Sequence, residues 1–221
     1  MKIRAITFDV GGTLIEPWPS VGHVYAEVAA RFGVGGIVPE LLMRNFGLAW
    51  KARTHFDYAT ESWFAIVLES FGDHATRLPA EFFPAVFNRF ADADVWRIYD
   101  DVLPTLETLA ARGIKLGLIS NWDARLRPLL TNLNLSRHFS SFVISCEIGA
   151  TKPDARLFAQ AARQLEVAPG EMLHVGDSLA MDVAGAENFG ALGRQIVRCK
   201  PLAGVRQVAS LGDLCVLAAG D

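Results

Sequence analysis

Several polar residues stand where short apolar segments of the sequence end. Asp9, Ser120 and Asp177 each end or closely follow such a segment, and Lys152 precedes a predicted helix. In an open parallel sheet, ligands bind outside the carboxyl ends of the strands. One aspartate after a strand is often only a turn former, but four such residues at one sheet edge predict a functional site.

The segment around Asp9 reads FDVGGTL, over residues 8–14. A carboxylate is a weak nucleophile, so it must be held and aimed before it can attack a substrate. The glycine pair Gly11 and Gly12 lets the chain turn sharply and approach a ligand closely. Thr13 can hydrogen-bond a carboxylate oxygen and fix its direction. The segment therefore predicts a nucleophilic aspartate in a tight loop.

Further charged residues would surround this nucleophile. Asp177 and Asp182 add two carboxylates, which would repel Asp9 in the absence of a cation. Hard oxygen ligands suit Mg²⁺, and Lys152 supplies a compact positive charge. Three carboxylates, one Mg²⁺ and one lysine are electrically balanced, and the Ser120 hydroxyl can bind an anion. The cluster predicts chemistry on an anionic substrate with Mg²⁺ as the cofactor.

The elements that must position these residues alternate along the chain. Short apolar segments predict strands over residues 3–8, 114–120, 142–145, 172–175 and 191–197. Apolar residues at helical spacing predict helices over residues 103–112, 154–166 and 182–188. Strands that alternate with helices predict an α/β fold with a parallel sheet covered on both faces.

Residues 16–96 interrupt that alternation and show no clear strand. Amphipathic patterns predict helices over residues 21–32, 40–53, 61–71 and 80–90. The aromatic residues of this stretch are interpreted as packing residues of its core, among them Trp50, Trp63, Phe82, Phe83 and Phe87. We predict a Rossmann-like three-layer core of residues 1–15 and 97–221, with an all-helical cap of residues 16–96 inserted into it.

The bulk composition favours a globular protein and does not indicate a nucleic-acid or membrane binder. The 221 residues are 51% hydrophobic, with a formal net charge of −3. No basic segment indicates a nucleic-acid or membrane partner, and no segment is long enough to span a membrane. The cysteines, Cys146, Cys199 and Cys215, have no metal-binding spacing and are expected to be reduced. With no signal-peptide pattern at the N-terminus, we expect a cytoplasmic protein, either monomer or homodimer.

In chain order, the charged and polar residues resemble the four motifs of the haloacid dehalogenase superfamily. The resemblance spans the whole chain, and the helical insert between the first and second motifs is similar to the family's helical cap. Motif and predicted context agree, which makes the resemblance specific. The matching residues are Asp9, Gly11, Gly12, Thr13 and Leu14, then Ser120 and Asn121, then Lys152, Pro153 and Asp154, then Gly176, Asp177 and Asp182.

The resemblance implies a reaction and a metal site. Asp9 would attack phosphorus and form an aspartyl phosphate, so the chain would be a phosphatase of a small phosphorylated metabolite. Mg²⁺ would be held by Asp9, the main-chain carbonyl of Gly11, and Asp177.

The resemblance also implies roles around the nucleophile. Thr13, Ser120 and Asn121 would hold phosphoryl oxygens. Lys152 would neutralise the intermediate, and Asp182 would orient Lys152 or a metal-bound water. The cap would close over the site and select the substrate. His174, on a predicted buried strand, is interpreted as a structural hydrogen-bonding residue.

One position departs from the family pattern. Phosphatases of the family usually carry a second aspartate two residues after the nucleophile, which protonates the leaving group, and here that position is Gly11. Loss of a general acid typically costs about 10²–10⁴ in rate. The chain could be a phosphatase for good leaving groups such as acyl phosphates, or could borrow an acid from the cap or the substrate.

Two other cleavage reactions stay open. The 2-haloacid dehalogenases of the family also lack the second aspartate, because halide leaves without a proton, and they need no metal. They usually replace the aspartate at the position of Asp177 and have a tyrosine near the position of Phe158, so Asp177 favours the metal. A phosphonate hydrolase would need a Schiff-base lysine in the cap, where Lys51 is the only lysine.

A non-catalytic role is the third alternative. The second motif reads Ser120, Asn121, Trp122 and Asp123, and a subgroup with this pattern also tends to lack the second aspartate and has no agreed substrate. The fold could then serve as a catalytically weak or inactive binding module.

Overall fold

The computed structural model describes residues 2–53, 56–198 and 206–218. In chain order its strands, β1 to β8, are Ala5–Phe8, Ile15–Pro17, Trp96–Ile98, Lys115–Ser120, Ser141–Ile144, Met172–Gly176, Leu192–Ile196 and Gln207–Val208. Its helices, α1 to α10, are Val21–Arg31, Pro39–Lys51, Thr60–Phe71, Phe82–Arg89, Val102–Ala111, Leu126–Asn132, Ser145–Ile148, Ala155–Leu165, Ala184–Phe189 and Leu214–Leu217. A π-helical turn, Leu179–Val183, runs directly into α9.

A six-stranded sheet with the strand order β5-β4-β1-β6-β7-β8 forms the centre of one compact unit. Each of its neighbouring pairs is parallel, so the predicted α/β fold with a parallel sheet is confirmed. Phe8 of β1 is in register with Leu118 of β4 and Val175 of β6. The chain segments that leave these three strands therefore start at the same edge of the sheet.

Burial of apolar side chains explains why these segments form central strands. All four residues of β1 are buried, as expected for a strand covered on both faces. Helix α8 packs Leu157, Phe158 and Leu165 into the same core as Ile119 and Val143. Each large apolar side chain that is fully buried contributes about 1.5–3 kcal/mol to stability. This packing holds the strand ends in place.

The helices α1 to α4 have a separate aromatic core. Tyr25 stacks on Phe71 at a ring-centroid distance of 6.0 Å, and Phe71 meets Phe82 edge-on at 5.3 Å. Phe82 is fully buried, as the sequence predicts. Trp50 is different, because 37% of it is exposed although it stacks on Trp63. The interpretation of Trp50 as a core residue was therefore wrong.

The chain divides into two compact units. One contains residues 1–15, 98–124 and 133–221, and the other contains residues 16–97 and 125–132. The second unit includes α6 and the residue before it. The Arg125 side chain donates a hydrogen bond to the Phe87 carbonyl at 2.7 Å and lies 3.5 Å from the Phe87 ring. The role of this helical unit as a cap stays a prediction.

The expectation that residues 16–96 contain no strand was wrong at both ends of that range. Strands β2 and β3 pair there in a two-stranded sheet. Each has three residues, which is too short for a pattern of alternating hydrophobicity to be visible. The predicted helix over residues 182–188 begins earlier, as the π-helical turn that contains Asp182.

The structure bears on two expectations from the composition, which concern membrane spans and the cysteines. Among the described residues, the helices are all too short or too polar to cross a bilayer. Within the part of the chain that the structure describes, Cys146 and Cys215 form no disulfide, and Cys199 lies outside that part.

Candidate active site

Asp9 follows β1 directly and is 8% exposed. The Ser120 hydroxyl, at the end of neighbouring strand β4, donates a hydrogen bond to Asp9 Oδ1 at 2.9 Å. Among the described residues, hydrogen bonds from side chains reach only this oxygen of Asp9, from Ser120 and Lys152. The carboxylate is thus held by one oxygen, which leaves the other for a reaction.

Lys152 bridges two carboxylates inside the protein. Its Nζ lies 2.7 Å from Asp9 Oδ1 and 2.6 Å from Asp182 Oδ1, and the residue is 4% exposed. Burial alone would lower the pKa of Lys152, but the charges and hydrogen bonds of Asp182 and Asp9 outweigh burial and raise it above its usual value. Lys152 is therefore a permanent cation at neutral pH.

Asp182 is held by three donors, one of which is Lys152. Besides Lys152, Asp182 Oδ1 contacts His174 Nε2 at 3.1 Å, and Oδ2 accepts from the main-chain N–H of Ser178 at 2.9 Å. Burial opposes the charge of Asp182, but Lys152 and His174 hold its pKa below its usual value. Of the two implied roles for Asp182, the geometry favours orienting Lys152.

His174 on β6 is fully buried behind this pair. Burial lowers its pKa, so the ring is neutral near pH 7. Its bond to a carboxylate requires the proton on Nε2, so Nδ1 accepts from the Thr7 hydroxyl at 2.9 Å. The imidazole ring of His174 packs edge-on against the ring of Phe158, with the ring centroids 5.3 Å apart, and this contact fixes the plane of the imidazole. His174 thus supports Asp182 from within the sheet.

Asp177 completes a cluster of carboxylates. Ligand atoms of Asp9, Asp177 and Asp182 lie within 4.8 Å of one another. Asp177 is partly exposed to solvent, but the surrounding protein still desolvates its carboxyl group. This desolvation is the larger cause, and repulsion from Asp9 and Asp182 the smaller, that raise the pKa of Asp177 to about 7. A carboxylate that resists ionisation beside two others is the electrostatic setting in which a divalent cation binds.

Gly12 makes room for Asp177. Its φ of 73° lies in the left-handed region, and a Cβ built on it would lie 2.6 Å from Asp177 Oδ2. Any side chain here would both strain the backbone and displace the carboxylate. The glycine therefore brings the loop of the proposed nucleophile against Asp177.

The Thr13 hydroxyl is buried, and among the described residues it has no hydrogen-bond partner. A buried hydroxyl without a partner costs about 1–3 kcal/mol, which a bound phosphoryl oxygen could offset.

The Thr13 carbonyl accepts from Arg198 at 2.6 Å, and Arg198 also pairs with Asp101. No pattern in the sequence marked Arg198, because its partners are distant along the chain.

The side chain of Asn121 contacts the main chain of Lys152. Its Oδ1 accepts from the Lys152 N–H at 2.7 Å, and its Nδ2 donates to the Lys152 carbonyl at 3.3 Å. Both ends of the amide contact the main chain of Lys152, and Nδ2 also lies 3.7 Å from Met181 Sδ. The implied role of Asn121 in holding phosphoryl oxygens stays a prediction. In this geometry Asn121 positions Lys152.

Gly11, the position of the missing acid, lies beside Trp122. A Cβ built on Gly11 would be 3.2 Å from Cζ3 of the indole. The main chain of Trp122 is fixed by Ser145, whose hydroxyl accepts from its N–H at 2.9 Å and donates to its carbonyl at 3.0 Å. Ser145 was not singled out from the sequence, since a lone serine at a strand end carries no distinctive pattern.

Comparison with known proteins places the chain in a family. Residues 3–190 match the model of the haloacid dehalogenase-like hydrolases. The haloacid dehalogenase-like hydrolase domain-containing protein 3 of Mus musculus is 30% identical over 215 residues, which are 91% of this chain and 85% of that protein. A glyceraldehyde 3-phosphate phosphatase of Methanopyrus kandleri is 39% identical over 108 residues, 46% of this chain and 44% of that protein.

Solved structures match along nearly the full chain. A haloacid dehalogenase-type phosphatase from Thermococcus onnurineus has a TM-score of 0.70 at 25% identity and covers 100% of this chain and 99% of its own. A 2-haloacid dehalogenase from Pseudomonas syringae has a TM-score of 0.68 at 24% identity and covers 98% of each chain. The second likeness shows the fold alone, and enzymes of two reaction types share this fold.

Proposed function

The chain belongs to the haloacid dehalogenase-like hydrolase family, and we propose that it is a Mg²⁺-dependent phosphatase of a small phosphorylated metabolite. Asp9 is the nucleophile, and the products are inorganic phosphate and an alcohol or acid. The observation that carries the proposal is the buried Asp9 carboxylate, bound by Ser120 and Lys152, beside the carboxylate of Asp177.

The first step is attack on phosphorus. Ser120 and Lys152 hold Oδ1 of Asp9 at 2.9 and 2.7 Å and so aim the carboxylate. The new bond joins Asp9 to phosphorus, and the bond from phosphorus to the leaving oxygen breaks with its electron pair on that oxygen. Lys152 offsets the negative charge of the aspartyl phosphate, and the free Thr13 hydroxyl is a donor for a phosphoryl oxygen.

The second step is hydrolysis of the aspartyl phosphate. Water attacks phosphorus, the bond to Asp9 breaks, and the carboxylate is regenerated, with both protons of the water on the released phosphate. Lys152 again stays charged through the step, because Asp182 holds it at 2.6 Å.

The carboxylate cluster fits Mg²⁺. The donor atoms are oxygens, the pKa of Asp177 is raised to about 7 by desolvation and by its acidic neighbours, and Asp182 is already bound by Lys152 and His174. Asp9 and Asp177 would therefore hold the ion, and the family resemblance adds the Gly11 carbonyl as a third ligand. Bound there, Mg²⁺ would offset carboxylate repulsion and stabilise charge on the phosphoryl oxygens.

The Asp177→Asn variant should separate the repulsion among the carboxylates from the binding of Mg²⁺. Without metal, we expect a melting temperature a few degrees higher than that of wild type at pH 8, because one of three mutually repelling carboxylates is gone. The sign follows from the pKa. A carboxyl with a raised folded-state pKa favours the folded protein less as pH rises through about 7.

Mg²⁺ should affect the two proteins to different extents. It should raise the melting temperature of wild type and have little effect on Asp177→Asn, as measured by thermal unfolding in EDTA and in Mg²⁺. Asp154→Asn, which removes an exposed carboxylate paired with Arg156, is the matched control. An undiminished Mg²⁺ response in Asp177→Asn would remove Asp177 from the ligand set.

The proposal makes a substrate prediction. Without an acid at position 11, the leaving group departs as an anion, so turnover should fall steeply as its basicity rises. We expect Mg²⁺-dependent phosphate release in the order acetyl phosphate, then para-nitrophenyl phosphate, then glycerol phosphate, and none in EDTA. Metal-independent halide release from a 2-haloacid, without phosphate release, would establish the dehalogenase alternative instead.

Lys51 distinguishes the phosphonate alternative. It is exposed on α2, and we expect Lys51→Met to keep wild-type phosphatase activity, because a solvated helix lysine carries no chemistry here. The readouts are phosphate release and trapping of a Schiff base with borohydride and a phosphonoaldehyde. A covalent adduct at Lys51, together with loss of turnover in the variant, would favour phosphonate cleavage.

A further inference from the structure

The backbone does not explain why position 11 is glycine. Unlike Gly12, Gly11 has no positive φ, so an ordinary residue could adopt its conformation. The constraint is a side chain: the nearest atoms to a Cβ built on Gly11 would be Cζ3 and Cη2 of Trp122, at 3.2 and 3.8 Å. The shorter distance is below ordinary van der Waals contact.

Trp122 is held in this place from its own main chain. The Ser145 hydroxyl accepts from its N–H and donates to its carbonyl, and the Cys146 N–H donates to the same carbonyl at 3.3 Å. Ser145 is 3% exposed and begins α7. Three hydrogen bonds thus fix the main chain of Trp122. Trp122 lies two positions after Ser120, and Gly11 lies two positions after Asp9, so both follow neighbouring strand ends at the same spacing.

The part of Trp122 that faces Gly11 cannot replace an acid. Atoms Cζ3 and Cη2 belong to the benzo edge of the indole, which carries only C–H groups. Its single N–H lies on the other ring and has no pKa in the range of a general acid. A carboxylate on residue 11 would have to displace this edge or turn away from it.

We propose that Trp122 is a specificity-determining residue that occupies the space of a general acid at position 11. The inference rests on the proposed phosphatase function. The indole edge excludes an acid side chain from the nucleophile loop, so the P–O bond breaks with the electron pair on a leaving oxygen that receives no proton. The accepted substrates are therefore phosphates with weakly basic leaving groups, and acyl phosphates above all.

Four proteins test the proposal: wild type, Gly11→Asp, Trp122→Ala and the double variant. Rates are measured on acetyl phosphate and glycerol phosphate with Mg²⁺. Neither single variant should gain on glycerol phosphate relative to acetyl phosphate, because Gly11→Asp lacks the space for the acid and Trp122→Ala lacks the acid. The double variant should gain about 10²-fold or more on glycerol phosphate and little on acetyl phosphate, which needs no acid. Trp18→Ala, combined with Gly11→Asp, controls for loss of an indole elsewhere, because Trp18 is 45% exposed and lies in the helical unit.

A full gain in Gly11→Asp alone would overturn the proposal, because the indole would then exclude nothing. No gain in the double variant, while wild type hydrolyses acetyl phosphate, would overturn it too and leave the phosphatase function standing. Absence of phosphate release from all four proteins would overturn both.

A stability measurement tests the packing independently of activity. Gly11→Ala should lower the melting temperature in the wild-type background and lower it less, or raise it, in the Trp122→Ala background, because the added methyl meets Cζ3 only when the indole is present. If Gly11→Ala changed the melting temperature by the same amount in both backgrounds, this would contradict the contact between residue 11 and Trp122, whatever the enzyme's substrate.

Discussion

Asp9→Asn should abolish phosphate release from acetyl phosphate and para-nitrophenyl phosphate. An amide keeps the size of the carboxylate and can still accept from Ser120 at the position of Oδ1. It cannot form a covalent bond to phosphorus, so we expect a loss on the order of 10⁵–10⁶ in kcat, as for removal of the nucleophile in other covalent hydrolases.

The fold should survive this change. Lys152 keeps Asp182 as a partner at 2.6 Å, so the substitution leaves the buried lysine paired. Asp9→Asn should unfold in a single cooperative transition and keep the circular dichroism spectrum of wild type, and Asp73→Asn, at an exposed aspartate of the helical unit, should lose no activity. A folded Asp9→Asn protein with undiminished kcat would show that another residue attacks the substrate.

Lys152→Met should cost both stability and activity. The lysine is the buried cation between Asp9 and Asp182. Removing one partner of a buried ion pair typically destabilises a protein by about 3–5 kcal/mol, because the remaining charge has no compensation. The measurement is urea-induced unfolding in EDTA, where the loss should appear as a lower midpoint with an unchanged slope.

The loss of activity has a separate cause. Without the ammonium group, neither the Asp9 carboxylate nor the aspartyl phosphate is neutralised, and we expect kcat to fall by a factor on the order of 10²–10³. Lys2→Met, which removes an exposed lysine of the same unit, should change neither quantity. A Lys152→Met protein as stable and active as wild type would show that the ion pairs of Lys152 with Asp9 and Asp182 contribute neither to the free energy of unfolding nor to catalysis.

The positions of the strand-end residues could be predicted from the sequence for a physical reason. Buried parallel strands are nearly continuous apolar segments, and a polar residue or a glycine ends or directly follows each of β1, β4 and β6. Once the strands are parallel neighbours, their carboxyl ends coincide. The contact between Ser120 and Asp9, across 111 positions of the chain, follows from that topology.

Other features depend on side-chain directions that no periodic pattern encodes. The amide of Asn121 binds the main chain of Lys152, 31 positions further along the chain. The indole of Trp122 packs on Gly11, and α6 lies with the helical unit although its sequence neighbours lie with the sheet. Such contacts join segments with no local signal, so a sequence can name the residues but not their partners.

The most direct test of the account is a search for the covalent intermediate. Wild type is mixed with acetyl phosphate and Mg²⁺, quenched in acid within the first turnovers, digested, and examined by mass spectrometry, with Asp9→Asn as the control. The account predicts one phosphoryl group, on the peptide that contains Asp9, in wild type alone. Phosphate release by wild type with no phosphoryl group on Asp9 at any quench time, or with the label on another residue, would contradict it.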